Sequence, residues 1–207
     1  MRPLPRIHAI TDAAVVTDPE FGIRAAAIAS SGPAVALHAR GRALSGAALT
    51  ALAVRLLSHA ESPQAAVLVN GRPDIARAVG AHGVQLAAED IAASEARVVL
   101  GTGWIGCSVH DLEQAERAVG EGADFLMVGN IFETPTHPGR PGAGIELVER
   151  TAALGLPVIA IGGVTAGRAH QVREAGAYGV AAITALWHQE DSATAAAALL
   201  EPWVGAT

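Results

Sequence analysis

The sequence predicts an α/β fold, a parallel (β/α)8 TIM barrel in a single domain spanning residues 1–207. Three observations predict it. Short apolar, β-branched runs alternate eight times with Ala-, Glu- and Arg-rich segments of helical character, the pattern of a parallel sheet covered by crossover helices. Hydrophobic residues make up 51%, mostly Ala, Val, Leu and Ile, as strands buried on both faces require. The length of 207 residues lies near the lower limit of such barrels and leaves no composition break or Pro/Gly/Ser-rich linker for a second domain. A flavodoxin-like open sheet would need fewer strands.

Taken in order, the strands are expected at Arg6–Thr11, Pro33–Arg40, Ala65–Asn70, Gly83–Leu86, Trp104–Val109, Phe125–Asn130, Pro157–Gly163 and Gly179–Leu186. The helices between them fall near Glu20–Ser30, Gly46–Glu61, Pro73–Gly80, Ile91–Val99, Asp111–Glu121, Ile145–Leu154, Ala166–Ala175 and Asp191–Leu200. A weak repeat supports the assignment. The segments GAHGVQL, GADFLMVG and GAYGVAAI each close a helix with Gly-Ala and then open a strand, and Gly suits a left-handed helix C-cap.

Composition excludes several functions. The formal charge of −6 leaves no basic footprint for nucleic acid. All 14 positive residues are Arg, so a Schiff-base lysine, and with it a lysine-dependent aldolase on this fold, is excluded. Cys107 is the single cysteine and reads as a small core residue. A reducing, cytoplasmic setting is therefore expected. The start MRPLPRIHAITD lacks the apolar core of a signal peptide, and no run reaches the ~20 apolar residues of a membrane span. A homo-oligomer is compatible with all of this.

In a (β/α)8 barrel the site lies at the C-terminal ends of the strands. Those ends carry Thr11-Asp12, His38 to Arg42, Asn70-Gly71-Arg72, Gln85 followed by Glu89-Asp90, Ser108-Val109-His110, Asn130 to His137, Gly162-Gly163 and Thr184. Side chains two apart share a face, so His38 and Arg40 point the same way, as do Ser108 and His110. If Arg40 reaches the mouth, His38 lies one layer deeper, either as a core histidine or as a functional one. The clearest signal is for phosphate. Ile159 to Val164 reads as a buried strand ending in Gly162-Gly163, with Thr165 as a candidate helix N-cap, and glycines let backbone amides approach an anion. Gly139 to Gly144 reads as a loop able to close over a ligand. His59, His82, His170 and His188 read as surface or packing residues. No residues show metal-ligand spacing, and Glu89-Asp90 reads first as a solvated loop.

The segments IHAITD, LHARGR, VNGRPDIARAVGAHGVQL, GCSVHDLEQA, GADFLMVGNIFETPTHPG, PVIAIGGVT and AGAYGVAAIT run in the order seen in the thiamin phosphate synthase and TenI superfamily. The chain resembles that family from Ile7 to Leu186. The resemblance implies a thiazole phosphate as small-molecule partner, its phosphate on the amides of Gly162, Gly163, Ile183 and Thr184. The synthase branch couples a pyrimidine pyrophosphate to the thiazole phosphate with Mg²⁺. It typically carries Gln-x-Arg-x-Lys, Asn-Asp and Thr-x-Thr-Lys; here those places read His38-x-Arg40-x-Arg42, Asn70-Gly71 and Thr134-x-Thr136-His137. The TenI branch, a thiazole tautomerase, resembles the chain more closely in these motifs, although Asn130 stands where its catalytic His is found. The reading is therefore an isomerase that needs no cofactor. Its acid/base candidates are His38, His110 and Glu133, and its substrate-binding candidates are Arg40, Asn70, Ser108, Asn130, Thr134 and Gly144. A divergent Mg²⁺-dependent synthase and a non-catalytic binder remain open alternatives.

Overall fold

The computed structural model describes residues 2–41, 43–61, 64–133 and 142–205. Eight strands close into an all-parallel barrel in sequence order. They are β1 (Ile7–Ile10), β2 (Val35–Ala39), β3 (Ala66–Asn70), β4 (Gly83–Leu86), β5 (Trp104–Val109), β6 (Phe125–Val128), β7 (Val158–Ile161) and β8 (Gly179–Ala182). The helices are α1 (Ala13–Thr17), α2 (Phe21–Ala29), α3 (Gly46–Ala60), α4 (Pro73–Val79), α5 (Ala93–Leu100), α6 (Leu112–Gly120), α7 (Ile145–Ala152), α8 (Ala166–Glu174), α9 (Thr184–Trp187) and α10 (Ser192–Leu200). Among the described residues no helix is long and apolar enough to cross a membrane.

Strand parity divides the core in two. Residues facing outward, such as Ile7, Leu37, Val67, Val69, Ile105 and Val128, pack under the helices. Residues facing inward, among them Ile10, Ala36, Leu68, Trp104, Phe125, Met127 and Ile159, fill the barrel. His8, His38 and Gln85 share that inner face with them and are buried. Gly106 makes the inner packing possible: a Cβ there would lie 2.1 Å from Phe125 Cζ and 2.4 Å from Gln85 Oε1. Cys107 is buried, and burial pushes its thiol up to about 12, which suits a packing residue and not a nucleophile.

Several boundaries differ from expectation. The second strand starts at Val35, because Gly32–Ala34 forms a 3₁₀ turn around Pro33. Asp12, expected at a strand end, instead caps α1 by accepting from Val15 N at 2.9 Å. The eighth strand stops at Ala182, and Thr184–Trp187 is helical. The sixth strand stops at Val128. Beyond it Ile131 N donates to Ile161 O at 2.9 Å and Phe132 N to Gly162 O at 3.0 Å, so the chain leaves β6 and runs along the end of β7.

Candidate active site

The C-terminal ends of the strands open into a cavity of about 1430 Å³. Its walls include Asp12, Arg40, Asn70, Ser108, His110, Asn130, Gly162, Gly163, Ile183 and Thr184, contributed by most of the strand ends. Single small-ligand pockets occupy roughly 300–1,000 Å³, so this one has room for more than one small ligand.

The β7–β8 side presents a set of open backbone amides to the cavity. Gly162 and Gly163 adopt φ of +98° and +64°, and no backbone carbonyl among the described residues accepts from their amides or from those of Ile183 and Thr184. Thr165 sits at the N-cap of α8 but its side chain makes no capping bond, so the first amides of that helix also remain open. The glycines are required for a second reason. A Cβ on Gly162 would lie 2.3 Å from Asn130 Cβ, and one on Gly163 would lie 2.7 Å from Glu133 O. Sequence reasoning passed over Arg168. It donates from Nη1 to Gly163 O at 2.8 Å and lies over the Phe132 ring at 4.6 Å, which brings a cation beside these open amides. Its position in the first turn of α8, after the Gly-Gly, was the available signal.

The opposite side is built from β2 to β5. Thr11 accepts from Arg40 N at 2.9 Å and lies 2.9 Å from the His38 carbonyl, fastening β1 to the end of β2 and setting Arg40 at the mouth. Gln85 donates from Nε2 to Ser108 Oγ at 3.0 Å, leaving the Ser108 proton available to the cavity. His110 is exposed at the rim, with Nδ1 against the Gly129 carbonyl. Asn130 donates from Nδ2 to Phe132 O at 3.3 Å, following a cis Gly129–Asn130 peptide. Arg72 is held by Asp74 in a two-pronged pair at 2.8 and 2.5 Å. Asp90 Oδ2 accepts from Ala87 N at 2.7 Å and lies 3.4 Å from where a Cβ on Gly71 would stand.

Three expected site residues are placed differently. His38 is wholly buried beneath Asn70 and lines no part of the cavity, so it cannot reach a ligand there; its parity put it one layer too deep. Gly144 ends the loop before α7 with its amide donated to Ile131 O at 3.0 Å, and it too is absent from the walls. Glu133 is exposed, and its carbonyl packs on Gly163. Arg42, Thr134, Thr136, His137 and residues 139–141 of the expected closing loop lie outside the described residues. A histidine that sequence reasoning missed, His8, lies against His38 inside the barrel.

Residues 7–186 match the family described as thiamine monophosphate synthase. The chain belongs to that family. It is 40% identical over 207 residues, 97% of this chain and 98% of the other, to the thiamine-phosphate synthase of Salinispora tropica. It is 44% identical over 158 residues to that of Thermus thermophilus, covering 75% of this chain and 76% of the other. Among solved structures it resembles the thiamine phosphate pyrophosphorylase from Pyrococcus furiosus, with a TM-score of 0.82 at 26% identity over 95% and 94% of the two chains. These relatives are named as synthases or a pyrophosphorylase, which overturns the expectation of an isomerase drawn from the TenI-like motifs.

Proposed function

We propose that this chain acts in thiamin biosynthesis as a thiamine-phosphate synthase, joining a pyrimidine pyrophosphate to a thiazole phosphate with release of pyrophosphate. The observation that carries the reading is the 40% identity to a synthase along nearly the whole of both chains. The size of the cavity supports it, since a transferase must hold two ligands at once and an isomerase only one.

The residues present divide the work. The amides of Gly162, Gly163, Ile183 and Thr184 suit the thiazole phosphate, with Arg168 beside them. Arg40 brings a fixed positive charge to the other side of the cavity, where the pyrophosphate would develop negative charge on leaving. Ser108, its oxygen already accepting from Gln85, offers a proton to the same group. Asn70 and Asn130 orient the rings by hydrogen bonding.

The synthase reading brings Mg²⁺ with it, and the donor set fits an ion carried mostly by substrate. Asp90, with Glu89 next to it, is the carboxylate at the mouth beside Gly71, and Mg²⁺ is commonly held by one or two carboxylates plus phosphate oxygens. When bound, the ion would neutralise charge on the departing pyrophosphate.

The test is a coupling assay with pyrimidine pyrophosphate, thiazole phosphate and Mg²⁺, read by formation of thiamin phosphate. Turnover is expected. Tight binding of thiazole phosphate with no coupling would replace the proposal by that of a non-catalytic binder, a reading favoured by Gly71 in place of a second carboxylate.

A further inference from the structure

Below the cavity floor three polar contacts run in line through the barrel interior. His8 Nε2 lies 3.1 Å from Pro5 O, His8 Nδ1 lies 2.8 Å from His38 Nε2, and His38 Nδ1 lies 3.2 Å from the end of the Asn70 side-chain amide. Each contact needs one hydrogen between its heavy atoms. Two neutral imidazoles carry two hydrogens, and a carbonyl such as Pro5 O can only accept. With an acceptor at the Pro5 end the line is therefore one hydrogen short. Either one ring is an imidazolium, or Asn70 supplies the third hydrogen from its amide nitrogen.

The surroundings decide between these. Both histidines are 0% exposed. Their inner neighbours are apolar, including Ala36, Ala66, Leu68 and Phe125, whose ring lies 5.4 Å from that of His8. The charged group that acts on His38 is Arg40, which is positive, and among the described residues no carboxylate hydrogen-bonds either ring. A second positive charge here, on one of the rings, would be desolvated and unpaired. Burial accordingly lowers His8 to about 4 and holds His38 well below its usual value, with His8 and Arg40 adding in the same direction. Both rings are neutral. His8 Nε2–H then donates to Pro5 O, His38 Nε2–H to His8 Nδ1, and Asn70 Nδ2–H to His38 Nδ1. The oxygen and nitrogen of an Asn amide have nearly the same shape, so the hydrogen count assigns them.

We infer that His8 and His38 are positioning residues that hold the Asn70 amide with its carbonyl oxygen turned to the cavity, making Asn70 an acceptor for an N–H group on a bound heteroaromatic ring. Asn70 lines the cavity, and no other hydrogen bond to its amide occurs among the described residues. The site thus selects a ring amine over a ring carbonyl at that point. That this ring is the pyrimidine rests on the synthase reading; the orientation of the amide does not.

Ring ¹⁵N spectra of histidine-labelled protein near neutral pH test the orientation directly. Neutral Nε2–H forms are expected at both His8 and His38; a proton on His38 Nδ1, or an imidazolium, would overturn the inference. Asn70→Asp gives a second spectroscopic arm, since it removes the donor facing His38. The His38 spectrum is expected to change as the ring takes a proton on Nδ1, whereas an unchanged spectrum would mean that Nδ1 carried the hydrogen all along. Function is read with His38→Gln, which keeps one acceptor and one donor end, and His38→Leu, which keeps neither. The expected rise in KM for pyrimidine pyrophosphate is under about twofold for Gln and about tenfold or more for Leu, with kcat and the thiazole phosphate KM nearly unchanged. Equal rises in both variants would overturn the positioning role. Failure of the wild type to couple would defeat the synthase reading and leave the spectra to decide the rest.

Discussion

Acidification should unlock the barrel through His8 and His38. Burial lowers His8 from 6.5 to about 4 and moves His38 in the same direction. In the unfolded chain both rings take up protons near 6.5, so below that value the unfolded state binds more protons than the folded one. Stability is then full above pH 6.5 and falls as pH drops towards 4, with a slope of about 1.4 kcal/mol per pH unit for each ring held neutral. For His8 alone the shift amounts to about 3 kcal/mol across the window. Arg40 and the two rings themselves are the charged or titratable groups that act on His38. His82, half-buried and lowered by burial and by Arg2, adds loss of the same sign, so the wild type alone does not isolate the pair. Asp74 and Asp191 are held below their usual value, and what they contribute is lost only as pH falls below about 4, outside the window. The assay is urea unfolding from about pH 7.5 to about pH 4.5 on wild type and His38→Gln, whose slopes should differ by about 1.4 kcal/mol per pH unit. Parallel slopes would refute the neutral, buried state of His38.

Two substitutions test the rest of the site. Gly163→Asp puts a negative charge into the amide cradle and should weaken thiazole phosphate binding by at least about tenfold beyond the loss seen in Gly163→Ala, which shares the strain of φ +64°; calorimetric titration showing equal affinity for the two variants would move the phosphate elsewhere. Gly71→Asp sets a second carboxylate beside Asp90, on a backbone conformation that Asp tolerates better than most residues, and should lower the Mg²⁺ concentration for half-maximal coupling several-fold. An unchanged Mg²⁺ dependence would place the ion away from Asp90.

The barrel was legible because each strand is a short, nearly uninterrupted apolar run and most of the helices are punctuated by a cap or a glycine. What escaped notice were short elements with ambiguous composition. The run Ala182 to Trp187 is as apolar and β-branched as a strand, but the chain turns at Ile183, with ψ of −78°, and continues as α9. The open amides and positive φ at Gly162-Gly163 followed from the paired glycines and their place at the end of the seventh strand. His8 was missed because one histidine inside Ile7–Ile10 looks like a core residue until the β1–β2 register, which pairs His8 with Ala36 and Ile10 with His38, brings the two rings together on the diagonal of the inner face. The isomerase expectation failed for a different reason. It weighed a few side chains at motif positions, whereas the similarity to the synthases runs along nearly the whole chain, and positive charge can be supplied to a site by arginines without any lysine.

The interlock between Asn130–Glu133 and Gly162-Gly163 has a consequence for how this molecule can change. A side chain on either glycine would collide with backbone or Cβ atoms of the neighbouring loop, and that loop hydrogen-bonds back to Ile161 and Gly162. The two segments are therefore fitted to each other as one unit. A chimaera that imports residues 130–133 from a relative, but keeps its own strand-7 end, joins halves fitted to different partners. Drift in either segment is tolerated only when the other drifts with it, which makes this seam the first place to look for paired substitutions and the worst place to cut the chain for recombination.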